Sequence, residues 1–190
     1  MEIFEFVLVM VSLVLAIGFT SLLSVVASMI SHRQSRKIEW YPLIWIATLF
    51  LYVPGYWWSL WDFRSVQWTF PAYFFLLMMP TCLYIAMSLL GEALDSEDNT
   101  SRVAAFDAVR IPFFLSLIAM QITGALDGWF LNVEPLLNTL RWVQIVLVVM
   151  FFVGALTPRI AMQKFVAIVN LVMMIFAMFG LRYLPGAFAA

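Results

Sequence analysis

The sequence predicts an all-α integral membrane protein, a bundle of six transmembrane helices. Of its 190 residues 65% are hydrophobic and only 11% charged, with a mean hydropathy of +1.00, whereas a soluble domain is roughly 45–50% apolar and about 25% charged. The apolar residues also fall into long charge-free runs, and about 20 such residues in a helix cross a bilayer core. Short polar, proline- or glycine-bearing stretches punctuate six of these runs. A soluble fold of this size has too little interior for so much apolar surface, so the remainder must face lipid. The whole chain, 1–190, reads as one polytopic domain.

The first span is expected over about residues 4–31, uninterrupted by charge after Glu5 and long enough to tilt or to project past the bilayer. Glu2 and Glu5 stand where a signal peptide carries a basic region, and the apolar run is too long for a cleavable signal, so the span is expected to stay in the mature protein. Ser12, Ala16, Thr20, Ser24 and Ser28 recur along it every four residues. Small residues at that spacing let another helix backbone approach closely. They read as a packing ridge, within the bundle or toward another membrane protein or a second copy of the chain. Bulk at Ser24 should then disturb packing more than bulk at Val25.

The second span is expected over 41–61 and holds Pro54-Gly55. The third, over 68–90, opens with Pro71 near its first turn, where a missing N–H costs nothing, and carries Pro80 near its middle. Gly91 suits its C-terminal cap. The fourth, over 106–126, has Asp107 and Arg110 in its first turns, and Gly124 and Gly128 at its exit read as a cap and turn. The fifth and sixth, over 136–156 and 159–181, are separated by Thr157-Pro158, a tight turn that makes them antiparallel neighbours.

Loops are short except for the acidic, aromatic-free 92–105, expected as a solvated connector. It would split the chain into two three-helix halves of opposite orientation, as in inverted-repeat transporters, although the last two spans have no interior prolines to match those of the second and third. Cytoplasmic loops retain Lys and Arg. Arg33, Arg36, Lys37, Arg102, Arg110, Arg159 and Lys164 fall on the side of loops 1, 3 and 5, against Arg64, Arg141 and Arg182 opposite. Both termini are therefore expected on the extracytoplasmic side, with 92–105 cytoplasmic and the Asn99-Thr100-Ser101 sequon out of reach of glycosylation. A compact, short-looped bundle of this kind points to a multi-pass protein of the cell membrane, the bacterial inner membrane being the expected one.

Several function classes find no support. A formal net charge of -1 with scattered cations argues against nucleic acid as a partner. Cys82 has no second cysteine, and His32, the sole histidine, sits in the basic loop SHRQSRK as a solvated residue. One histidine cannot ligate haem on both sides. Met78 with Cys82, and Met174 with Met178, have spacings that could suit a soft metal, but in a chain with 12 methionines they read as packing. The string Asp95, Glu97, Asp98 lacks the glycine and terminal glutamate of a calcium loop. Lys164 lies near the start of the sixth span and reads as a snorkelling lysine, not a Schiff base. Asn170, deeper in that span, is expected to bond a neighbouring helix. No cofactor is expected, and no hydrolase, protease or phosphate-binding template is present.

Two clusters remain. Around the second loop, Trp57, Trp58, Trp61 and Trp68 mark the headgroup level, with Asp62 and Arg64 expected to pair with each other or with groups on other helices. Gln121 and Asp127 of the fourth span, with Asn138, Arg141 and Gln144 of the fifth, fall in the same outer half of the bundle. Polar groups in membrane helices face the interior or a wet cavity. Asp62, Arg64, Gln121, Asp127, Asn138, Arg141 and Gln144 therefore form a candidate outward-facing polar pocket, with Arg141 expected to bond Asp127 or Asp62.

Two functional classes follow. The first is a non-catalytic subunit or accessory protein of a membrane assembly. The second is a small transporter or channel for an uncharged or zwitterionic solute, and an integral membrane enzyme without a familiar motif is a third. A polar cavity reaching the midplane would favour the transporter, whereas a scaffold should be packed solid there.

Overall fold

A computed structural model describes residues 3–31, 40–94, 99–131 and 139–181. The described chain is helical: α1 (Ile3–Ser31), α2 (Trp40–Ser59), which continues into a 3-10 turn at Leu60–Phe63, α3 (Phe70–Leu76), α4 (Met78–Leu94), α5 (Asn99–Phe130), α6 (Thr139–Leu156) and α7 (Ile160–Phe176), which ends in a π-helical turn at Ala177–Leu181. Six spans, with α3 and α4 together forming the third, are long and apolar enough to cross a membrane.

The third span is broken by Pro80. Proline has no N–H to return to the carbonyl four residues earlier, and the helix is interrupted at Leu77 between α3 and α4. The carbonyl that loses its partner, that of Leu76, accepts a hydrogen bond from the Tyr56 hydroxyl at 3.1 Å instead. At the start of α3, Thr69 caps the helix, its hydroxyl accepting from the Ala72 N–H.

The polar stretch 92–105 is not a loop throughout. α4 runs on to Leu94, with Ala93 and Leu94 buried, and α5 begins at Asn99 and is 32 residues long. The stretch contains no glycine or proline, and Glu, Ala, Leu and Arg are good helix formers. Its polarity is compatible with helix, and both helices carry on into it. Gly91, expected as a cap, lies inside α4, where an added Cβ would meet Ser21 of α1 at 3.7 Å. Gly124 and Gly128 likewise lie within α5. His32, Arg33, Arg36, Lys37, Asp95, Glu97, Asp98, Arg182 and the beginning of the fifth span at 136–138 lie outside the described residues.

The spans form a closed ring in the order α1, α4, α5, α6, α7, α2, with α2 packing back on α1 and touching α4 across the middle. α1 packs mainly on α4, and its buried residues are Val7, Val11, Leu15, Gly18, Leu22, Val25 and Met29. Gly18 permits the close approach, since a Cβ there would lie 3.3 Å from the Tyr84 Cα. The expected ridge points elsewhere. Ala16, Thr20 and Ser24 are exposed and Ser12 and Ser28 half-buried, and the hydroxyls of Thr20 and Ser24 donate to the carbonyls of Ala16 and Thr20 in their own helix.

α2 and α5 face each other across the interior, and side chains bridge them at two levels. Near the start of α2, Trp45 packs on Phe113 and Phe114 of α5 at 5.2 and 5.4 Å between ring centroids. Phe151 of α6 and Phe106 of α5 extend this cluster, and all five rings are buried. Gly154 of α6 makes room for it, because a Cβ there would lie 2.6 Å from the Phe114 ring. The aromatic plug fills the end of the bundle that carries loops 1, 3 and 5. The C-terminal end of α6 is tied down at the same end. Arg110 Nε donates to the Ala155 carbonyl at 3.3 Å while its Nη1 pairs with Asp107, and Gln163 Nε2 donates to the Gly154 and Thr157 carbonyls.

Candidate functional site

The second bridge lies at mid-span. Tyr52 is about twelve residues into the second span and Asn170 about ten into the last, which places both some 15–18 Å along their helices. Gln121 Nε2 donates to the Tyr52 hydroxyl at 3.2 Å, and that hydroxyl donates to Asn170 Oδ1 at 3.0 Å. The three side chains are buried, so this chain of hydrogen bonds joins α5, α2 and α7 away from solvent. Within a membrane it satisfies polar groups that lipid cannot.

Between that bridge and the end bearing loops 2 and 4, the interior opens into a partly enclosed cavity of about 90 Å³. Five helices contribute to its wall, among them Tyr52 and Tyr56 of α2, Met79 of α4, Gln121, Gly124 and Asp127 of α5, Val143 and Gln144 of α6, and Met174 and Met178 of α7 and its π-helical turn, with Phe63 from the turn after α2. Glycine makes the space possible. At Gly55 a Cβ would collide with the Met178 and Met174 thioethers at 2.6 and 2.9 Å, and at Gly124 it would lie 3.1 Å from Met79 Sδ.

Among the described lining residues, Asp127 brings the one carboxyl group to this cavity. It is 1% exposed, and neither of its carboxyl oxygens accepts a hydrogen bond from any of the described residues. Arg141 acts on it through charge but does not hydrogen-bond it. Arg141 is buried, and its Nη1 donates to Gln144 Oε1 at 2.7 Å and to the Gly124 carbonyl at 3.5 Å. Of the two expected partners, Asp127 or Asp62, the bond to Asp127 is absent, and Gln144, one turn along the same helix, takes the guanidinium instead. Arg141 in fact lines a second, apolar groove on the outer flank between α5 and α6, with Ile122, Leu126, Ile145 and Val149. Gln121 and Gln144 line both the groove and the cavity, so two amides form the partition between them.

The remaining expected residues separate. Asp62 is buried in the 3-10 turn, whereas Arg64 is exposed, with its guanidinium 5.8 Å from the centre of the Trp61 ring. Asn138 lies outside the described residues. Trp57, Trp58 and Trp61 are exposed around this end, and Trp57 Nε1 also donates to Ser12 Oγ of α1. At the other end Lys164 lies 5.2 Å from the Trp40 ring centre. Of the sequence-derived set, then, Gln121, Asp127 and Gln144 line one cavity. Sequence reasoning missed Tyr52 and Tyr56. Their signal was two phenolic oxygens four residues apart on one face of an apolar helix, flanking Pro54-Gly55.

Among the described residues no group of three or more histidine, cysteine, aspartate or glutamate side chains is placed to hold a metal. The chain matches no known family model, no curated protein and no solved structure.

Proposed function

We propose that the protein is a small-solute carrier or channel of the plasma membrane, open toward the side of loops 2 and 4 and closed toward the side of loops 1, 3 and 5. The observation that carries this reading is the cavity that descends from Asp127 to the Tyr52–Gln121–Asn170 bridge at mid-span, with the aromatic plug beyond it. A purely structural bundle gains nothing from an internal space with a buried carboxylate, since each lost contact and each unsatisfied polar group costs free energy. The excess of Lys and Arg on the closed side supports an outward-facing mouth, termini outside, and a bacterial inner membrane as the setting.

The test is flux. Purified protein is reconstituted in liposomes, and swelling is followed with glycerol, urea, glycine and methylammonium chloride as probes. At least one should enter faster than in empty liposomes, and Val143→Phe, which places bulk in the cavity, should abolish the difference. Flux of none of them would remove the reading.

The accessory-subunit reading keeps one observation in its favour. α1 has the smallest buried share of the six spans, 28% of its most apolar window, and Ala16, Thr20 and Ser24 of its small-residue face are exposed. Native mass measurement of the protein extracted from its membrane, with a second protein bound in fixed ratio, would favour that reading.

A further inference from the structure

Among the described residues, the cavity lining holds one carboxyl group and no lysine, arginine or histidine. That asymmetry bears on what it can bind. Asp127 is almost fully enclosed, and its two oxygens have no donor among the described residues. A buried carboxylate without hydrogen bonds is costly, and a ligand that brings N–H donors or positive charge offsets that cost. Arg141, the cation that acts on it, is held on the far side of the partition by Gln144 and Gly124 and lines the outer groove.

The rest of the wall narrows the class further. An anion would face Asp127 with no cation in the described lining to receive it. A zwitterion would leave its own carboxylate in the same position. A bare hard cation such as magnesium or calcium asks for about six oxygen ligands, and here the phenol oxygens are already engaged, Tyr52 with Asn170 and Gln121, Tyr56 with the Leu76 carbonyl. What the wall offers instead is Tyr52, Tyr56 and Phe63 with the thioethers of Met79, Met174 and Met178. Aromatic faces attract alkylammonium groups through the ring quadrupole, and thioethers are polarizable and adapt their shape. A cavity of about 90 Å³, where one water needs roughly 10–15 Å³ on the same measure, admits an ammonium carrying only a few carbons.

Building on the reading of this cavity as a solute site, we propose that it binds a small organic ammonium ion, between methylammonium and tetramethylammonium in size, with the charge on Asp127 and the alkyl groups against Phe63 and the methionines. The zwitterionic class expected from the sequence gives way to a cationic one because Arg141, which would have held the second charge, is outside the cavity.

The experiment uses the full chain in lipid nanodiscs and follows the thermal unfolding midpoint. Tetramethylammonium and methylammonium chloride are titrated against sodium chloride at equal ionic strength, tert-butanol as an uncharged counterpart, and glycine betaine as a zwitterion. The ammonium salts should raise the midpoint saturably and the other three should not. Asp127→Asn should move half-saturation to about tenfold higher concentration or more, a loss of about 1.4 kcal/mol. Phe63→Leu should move it about threefold, in line with a cation–π contact of ~0.5–1 kcal/mol. Asp107→Asn, outside the cavity, should leave it unchanged. If Asp127→Asn does not fold, Phe63→Leu decides alone, and an unchanged half-saturation overturns the proposal. An equal effect of sodium chloride, tert-butanol or betaine also overturns it. In that case, continued flux of glycerol or glycine blocked by Val143→Phe shows that the solute site stands and only the ammonium class has failed, whereas absence of both binding and flux removes the two together.

Discussion

Tyr56 and Pro80 sit on different helices, yet a single chemical deficit joins them. Proline withholds an N–H from the Leu76 carbonyl, and the Tyr56 hydroxyl supplies the missing donor at 3.1 Å. Removing that hydroxyl leaves a buried carbonyl without a partner, which costs roughly 1–3 kcal/mol. Tyr56→Phe should therefore lower the unfolding midpoint. In a Pro80→Ala background, where the backbone N–H returns, the same change should cost much less, so a double-mutant cycle should show coupling of about 1 kcal/mol or more between two residues that are not chain neighbours. Independent effects of the two substitutions would mean that the bond carries no weight. The same single-residue logic explains Gly154: it lies under the Phe114 ring, where a Cβ would come within 2.6–2.9 Å of three ring atoms. Gly154→Ala should destabilise by about 1–3 kcal/mol, the usual effect of overpacking, measured by the same unfolding assay.

At the scale of a helix, α1 separates what the sequence could reveal from what it could not. Its existence and extent were legible, because only hydrocarbon explains a run so long and so poor in charge. The direction it faces was not. Buried Val7, Val11, Leu15, Leu22 and Val25 are no more apolar than exposed Val9, Leu13, Ile17 and Leu23, since lipid and protein interior are equally apolar solvents and leave no amphipathic stripe to read. The expected order of sensitivity is accordingly reversed. Val25 is 4% exposed and packs toward α4, so Val25→Leu should lower the unfolding midpoint, while Ser24→Leu, at an exposed position on the rim of an open groove beside α4, should leave it nearly unchanged. Equal midpoints would deny α1 a unique packed face. The candidate site was legible to the extent that polar residues are rare in the spans. Gln121, Asp127 and Gln144 stand out for that reason, whereas Arg141 bonds Gln144 and the Gly124 carbonyl and does not hydrogen-bond Asp127. Spacing along a helix shows which side chains share a face, but which neighbouring backbone oxygen competes for a guanidinium depends on the packing of α5 against α6. The overrun of α4 and α5 into 92–105 was hidden for a related reason, because polarity reports the solvent and says little about the backbone.

For the molecule as a whole, the two ends of the bundle differ in kind, and that difference can be tested without knowing the ligand. One end is filled by Trp45, Phe106, Phe113, Phe114 and Phe151, all at most 2% exposed, while the other holds the cavity below Asp127. If the distribution of Lys and Arg sets the orientation, the cavity side faces out. In a Cys82→Ser background, an impermeant thiol reagent applied to intact cells should label Asn132→Cys and leave Ser96→Cys untouched. Val143→Cys, in the cavity wall, should be labelled from the same side as Asn132→Cys. Applied to inside-out vesicles, the reagent should label Ser96→Cys and spare Val143→Cys, because the plug leaves no path between rings whose centroids lie 5.2–6.3 Å apart. Adding Trp45→Leu removes the ring that touches three of the others, and Val143→Cys should then react from both sides. Labelling of Ser96→Cys in intact cells would invert the orientation and leave the architecture standing. Labelling of Val143→Cys from neither side would mean that the interior is closed at both ends, and a carrier that never opens to the side it draws from cannot bind its solute.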